Sequence, residues 1–229
     1  MKSWCIPAAS AKFVAKMEDV LDVYERPYDP KRPVVCVDEM TKELHATPYG
    51  SLPISPDQPQ REDYKYERHG TVNVFMSVEP LAGKRRVRVT ERHTRFEFAE
   101  ELRCLVEDDY PEAEQIVLVT DNLRTHSLYA LYETFPPEQA RNIARKLEWH
   151  YTPEHGSWLN IAELELSALS TQCTGRRMAS REVFTREVTA WEKRRNERMV
   201  RTVWQFRTED ARLKLRRLYP EFKQNSKLP

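Results

Sequence analysis

The chain is poor in cysteine, has no long hydrophobic run, and carries almost no net charge. Each shortage removes a class of protein. The four cysteines, Cys5, Cys36, Cys104 and Cys173, lie 31, 68 and 69 positions apart. No close pair marks a zinc site or a disulfide framework, so reduced, buried thiols in a cytoplasm are expected. The longest apolar runs cover four to seven residues: Val34 to Val37, Ile116 to Val119, and Val72 to Val78 with Asn73 and Ser77 inside. A membrane helix needs ~20 such residues, so no membrane span is expected. Lys12 and Lys16 interrupt the amino-terminal segment, and no signal peptide is expected either. Neither an internal repeat nor a low-complexity segment is found.

What is present suffices for a full core. The 229 residues are 40% hydrophobic and 10% aromatic, too rich for a disordered chain, while 32% charge gives a wet surface. A chain of this length buries about 70% of the surface it exposes when unfolded. The formal charge of +1 conceals an asymmetry. Thr174 to Pro229 holds 16 Lys and Arg against 7 Asp and Glu, a net of +9, which leaves −8 on Met1 to Cys173. An acidic body with a basic carboxyl-terminal region suits a protein that meets a polyanion, although a solvated helical face studded with arginine gives the same count.

Periodicity supplies the elements. An apolar stripe at three and four spacing predicts a helix over Ala8 to Tyr24, ended by Pro27, Pro30 and Pro33. Val34-Val-Cys-Val-Asp38 reads as a strand buried on both faces that stops at a charge, with a second short strand near Glu43 to Thr47. A proline-rich loop fills Pro48 to Pro59. Strands follow over Thr71 to Val78 and Arg85 to Thr90, then a helix over Phe96 to Val106 and a buried strand, Gln115 to Asp121. Ser127 to Phe135 reads as helix, Leu147 to Thr152 as strand, and Ser157 to Cys173 as a helix capped by Ser157. Helices near Ser180 to Met199 and Thr208 to Leu218 complete a mixed α/β layout with a central sheet.

Two of these strands end in aspartate, Asp38 and Asp121. Ligands of open α/β sheets bind beyond the carboxyl ends of strands, so two parallel neighbours would present both carboxylates to one crevice. Like charges that close repel unless a cation separates them, and an oxygen-rich site suits Mg²⁺ or Mn²⁺. A third acid would complete a two-metal site. Glu163 is the best candidate, on one helix face with Asn160, while Glu165, Glu39 and His126 are competitors.

These residues also match a family. Asp38-Glu39 after a hydrophobic strand, Tyr66-Glu-Arg-His-Gly-Thr71, Thr120-Asp-Asn-Leu-Arg-Thr-His126 and Thr152-Pro-Glu-His-Gly-Ser-Trp-Leu-Asn160 with Glu163 resemble bacterial insertion-sequence transposases. The branch resembled is the mariner-related one of the DDE superfamily, over nearly the whole chain. The resemblance implies a ribonuclease H-like, retroviral-integrase-type fold: a mixed central sheet flanked by helices, with extra carboxyl-terminal helices. It implies a catalytic and metal-binding triad of Asp38, Asp121 and Glu163, holding two Mg²⁺ or Mn²⁺ ions. The implied chemistry is cleavage and transfer of DNA strands by in-line attack of water or a 3′-hydroxyl, in cut-and-paste transposition. Double-stranded DNA, both transposon ends and target, would be the partner, bound by a homodimer in the bacterial cytoplasm on the nucleoid.

The expected organisation is an amino-terminal helix and proline-rich linker (1–32), a catalytic core (33–173) and a basic helical segment packed on it (174–229). Family members carry helix-turn-helix modules before the catalytic domain, whereas one amphipathic helix precedes Pro33 here. The chain therefore resembles the catalytic half alone, with a separately encoded helix-turn-helix half as an expected partner. Asp121 and Glu163 are 42 positions apart, more than in animal relatives, which places extra residues within Phe135 to Arg145.

Other residues have lesser expected roles. Asn122 and His126 could orient water or phosphate; helix capping for Asn122 and exposure for His126 compete with that. Glu39 is expected to neutralise a neighbouring base or cap a turn, because adjacent strand residues face opposite ways. Trp158 reads as core rather than as a base-stacking residue. Arg176, Arg177, Lys193, Arg194, Arg195 and Arg198 are the candidate contacts to DNA phosphates, about half of them expected to be only solvated helix surface. A domesticated remnant that binds or assembles DNA without catalysis is the alternative function, and a nuclease acting on RNA–DNA hybrids is a third.

Overall fold

The structure is a computed structural model that describes residues 10–48, 51–52, 55, 61–62 and 65–221. Its strands are β1 (Val34–Ala46), β2 (Ser51–Leu52), β3 (Arg61–Glu62), β4 (Glu67–Glu79), β5 (Lys84–Thr90), β6 (Ile116–Thr120) and β7 (Leu147–Tyr151). Its α-helices are α1 (Ala11–Tyr24), α2 (Arg95–Arg103), α3 (Leu128–Thr134), α4 (Pro137–Arg145), α5 (Ile161–Leu169), α6 (Arg181–Glu197) and α7 (Thr208–Lys214). Single π turns, Cys104–Asp109 and Ser170–Thr174, extend α2 and α5.

Valine-rich strands with no polar face need cover on both sides, and they receive it. The main sheet has the order β5-β4-β1-β6-β7, with β1 antiparallel to β4 and parallel to β6, which is parallel to β7. Alternation along each strand divides the core. Cys36, Val117 and Val119 join Val72, Val74 and Met76 on one face, under α1, α5 and α6. Val35, Val37, Ile116, Leu118 and Phe75 face the other way, under α2, α3 and α4. Each fully buried side chain of this size contributes about 1.5–3 kcal/mol, so both layers are needed to hold the sheet flat against its helices.

Several sequence expectations need correction. Asp38 does not end its strand. β1 continues to Ala46, because β4 supplies a ladder partner at almost every position from Cys36 to Ala46, charged or not. The segment expected as a separate strand near Glu43 is the far end of β1. The stretch from Phe135 to Arg145, where extra residues were expected, carries a helix of its own: Pro137 opens α4, and Ala140, Ile143 and Ala144 bury its inner face. The expected proline-rich loop lies largely outside the described residues, apart from β2, which pairs with β3. The cysteines Cys36, Cys104 and Cys173 are free and buried; Cys5 lies outside the described residues. No helix among the described residues is long and apolar enough to cross a membrane.

The first helix meets the segment around α7. Tyr24 packs on Trp204 with centroids 5.2 Å apart, Arg212 pairs with Glu18 at 2.8 and 2.9 Å, and Ser10 N donates to Leu218 O at 3.1 Å. The β4–β5 turn requires glycine at Gly83, whose φ is +68° and whose absent Cβ would stand 2.6 Å from the Met199 backbone just past α6.

Candidate active site

β1 and β6 are parallel neighbours whose last paired residues are Val37 and Thr120. Asp38 is the next residue of β1 and Asp121 the first residue past β6, so the two stand side by side where the β1–β6 ladder ends. α5 crosses that end on the face of Cys36 and Val119. Its first turn is fixed by Asn160, a fully buried N-cap whose side-chain oxygen accepts from Ala162 N at 3.1 Å. The Asn160 Nδ2 donates to Val37 O at 3.0 Å and to Asp38 Oδ2 at 3.1 Å. One side chain thus ties the helix start to the strand that carries the first acid. Glu163 follows in the same turn, its N–H donating to Asn160 O at 3.1 Å.

This corrects the expected capping. Ser157 to Leu159 form a short 3₁₀ turn, and Asn160, not Ser157, caps the helix. It also separates the competing acids. Glu165 is 3% exposed and points away into Arg195, at 2.8 and 3.1 Å, and Arg85, at 3.1 Å. Glu163 is half-buried and has no hydrogen bond or ion pair from its side chain among the described residues.

The electrostatics follow from crowding. Burial pushes the Asp38 carboxyl up to about 7; the Glu39 N–H, donating to Oδ1 at 2.8 Å, opposes this, and the charges of Asp121, Glu39 and Glu163 add to the rise. With the charges of Asp121 and Glu163 reaching Asp38, the three carboxylates form an all-oxygen donor set that fits a hard divalent cation such as Mg²⁺ or Mn²⁺. They stand near one another without closing on a point: among the described residues no group of three acids, histidines or cysteines is drawn together tightly enough to hold a metal.

Around the acids, His126 is 2% exposed, not at the surface. Its Nδ1 hydrogen-bonds Asp121 Oδ1, and its Nε2 stands 2.9 Å from Glu39 Oε2, at ion-pair distance but without hydrogen-bond alignment. Burial alone would lower this imidazole, yet the two carboxylates outweigh it and hold it at about 9. Asn122 is exposed and caps no helix; Ser127 stands at the start of α3. Trp158, expected in the core, is 41% exposed, with its ring edge-on to Phe206 at 6.0 Å. A shallow groove lined by Tyr24, Ile161 and Trp204 contains none of the three acids.

The candidate phosphate contacts divide. Arg195 is committed to Glu165 and stacked over Trp191, so it is a packing residue and not a free cation. Arg176 pairs with Glu187 at 2.5 Å, Arg177 donates to Lys65 O at 3.1 Å, and Lys193 is 4.0 Å from Glu197. Arg194 and Arg198 are exposed.

Residues 33–185 match the family model described as DDE superfamily endonuclease. The chain belongs to this family. Solved structures agree on the fold of a DDE endonuclease. The catalytic domain of Mos1 mariner transposase is 11% identical with a TM-score of 0.54, covering 86% of this chain and 96% of that one. The mariner Mos1 paired end complex with Mg is 14% identical with a TM-score of 0.56, over 96% of this chain and 67% of that chain. The corresponding complex with Mn is 14% identical at 0.55, and this chain spans 62% of its length. The ribonuclease H-like sheet expected from the sequence is therefore the observed fold. No curated protein sequence matches the chain.

Proposed function

We propose that this chain is the catalytic core of a DNA transposase, which cleaves DNA strands and transfers them with divalent metal ions. The observation that carries the reading is the meeting, where the β1–β6 ladder ends, of Asp38 on β1, Asp121 after β6 and the start of α5, which Asn160 pins to Asp38. Asp38, Asp121 and Glu163 would hold the metal. Bound there, two divalent ions would neutralise the carboxylates and clamp the attacking and leaving oxygens of a phosphodiester.

The protein's own contribution is placement. Asn160 and the Glu39 N–H fix both oxygens of Asp38, and His126 fixes one oxygen of Asp121. Glu163 is the least constrained of the three and is the ligand that closes last. The exposed cations Lys193, Arg194 and Arg198 on the outer side of α6, with Arg176 and Arg177 beyond α5, serve as sequence-independent phosphate contacts. Two copies acting on two transposon ends, with a helix-turn-helix module for end recognition, complete the reading; Mos1 chains in paired end complexes are the structural parallel.

The test is incubation with duplex DNA carrying the element's ends and Mg²⁺ or Mn²⁺. Nicking and strand joining are expected to depend on the metal and to fall at least about 100-fold in Asp121→Asn. Nicking that survives this substitution unchanged overturns the assignment.

A further inference from the structure

Alternation along β1 turns Glu39 away from Asp38, onto the face of Val35 and Val37, where its ladder partner is Phe75. It meets there a histidine that arrives from the other strand end. His126 lies flat on Phe98, with centroids 4.2 Å apart and planes 24° from parallel. One ring edge faces Asp121 and, at 3.3 Å, Thr120 Oγ1; the other faces Glu39. With a face covered and both edges occupied, the ring has a single orientation that keeps all its neighbours. Glu39 is 10% exposed at its side chain and pairs with no other cation among the described residues.

We propose that Glu39 is a positioning residue that acts through His126 to fix Asp121, committing Oδ1 and leaving Oδ2 as the oxygen offered to metal. The inference rests on the reading of Asp121 as a metal ligand. A carboxylate free to rotate presents either oxygen, or both, and loses ordering entropy when it binds. One already held at Oδ1 has lost that freedom in folding. Without Glu39, the far edge of the imidazole has no partner to stop the ring turning on Phe98, and the hold on Oδ1, shared only with the Leu123 N–H at 3.3 Å, loosens. Partners one step removed from a metal commonly alter its affinity by about 10–100-fold.

The experiment titrates Mn²⁺ into the full chain and reads free Mn²⁺ by electron paramagnetic resonance, for wild type, Glu39→Gln, His126→Phe, the double variant and Asp121→Asn. Glu39→Gln keeps the shape of the side chain, and His126→Phe keeps the stack on Phe98. Expected is a roughly tenfold weaker Mn²⁺ affinity in Glu39→Gln with its thermal midpoint unchanged. His126→Phe is expected to lose at least as much, and the double variant no more than His126→Phe alone, because Glu39 acts only through that ring. Wild-type affinity in Glu39→Gln, or losses that multiply in the double variant, overturn the inference while Asp121→Asn still binds poorly. If His126→Phe does not fold, the Glu39→Gln arm decides by itself. Wild-type affinity in Asp121→Asn instead overturns the ligand assignment beneath it.

Discussion

Asn160 joins three structures through one amide: the α5 backbone at Ala162, the β1 carbonyl of Val37 and the carboxylate of Asp38. Removing it uncaps the helix and strands a buried carbonyl. Asn160→Ala is expected to cost about 2–3 kcal/mol by chemical denaturation, and a loss under about 0.5 kcal/mol contradicts this role. Asp38 sets the pH response. Its folded value near 7 lies above that of an exposed aspartate, so the folded, metal-free chain binds more protons than the unfolded one between about pH 4 and 7. Metal-free stability contributed by this group therefore falls as pH rises through that window. Mn²⁺ competes with the proton, so its affinity should weaken roughly tenfold from pH 8 to pH 6, about one proton's worth; a flat profile contradicts the Asp38 assignment. At this scale the adjacency of Asp38 and Asp121 was legible, because hydrophobic runs that reach an aspartate are visible in sequence. The His126 bridge was not. It depends on Glu39 and Asp121 standing at nearly one level just past the end of the β1–β6 ladder, which only that register provides.

Among the elements, α6 shows how a pattern is read too narrowly. Phe184, Val188 and Trp191 are buried at four and three spacing, and four further on stands Arg195, on the same inward face. The stripe was legible; that it ends in a cation was the missed signal, and charge alone misassigned Arg195 to DNA. Inside, Arg195 and Arg85 share Glu165, with the Arg85 side chain fully buried and the Glu165 side chain 4% exposed. Glu165→Ala leaves two inward cations without their anion and is expected to destabilise by about 3–5 kcal/mol, read by urea or thermal unfolding. A near-neutral result would show that solvent reaches this cluster. β1 and α4 escaped for different reasons. The charged half of β1 is held by a long-range ladder with β4, and α4 is short, with three small or branched residues as its whole inner face.

Across the whole molecule, the layered sheet gathers acids from distant sequence at the ends of two parallel strands. The order of strands and their valine-rich cores made that architecture legible, since the strand and helix sequence alone selects a mixed sheet with helices on both faces. Glu163 was the preferred acid from its place beside Asn160, but that Glu165 turns inward to Arg85 and Arg195 was not legible, because those partners come from distant segments. The most direct measurement is the Mg²⁺-dependent DNA cleavage rate of Glu163→Gln beside its unfolding midpoint. The account predicts a fall of at least about 100-fold with the midpoint unmoved, since this side chain has no partner among the described residues. A rate within about twofold of wild type would mean that this carboxylate takes no part in the chemistry.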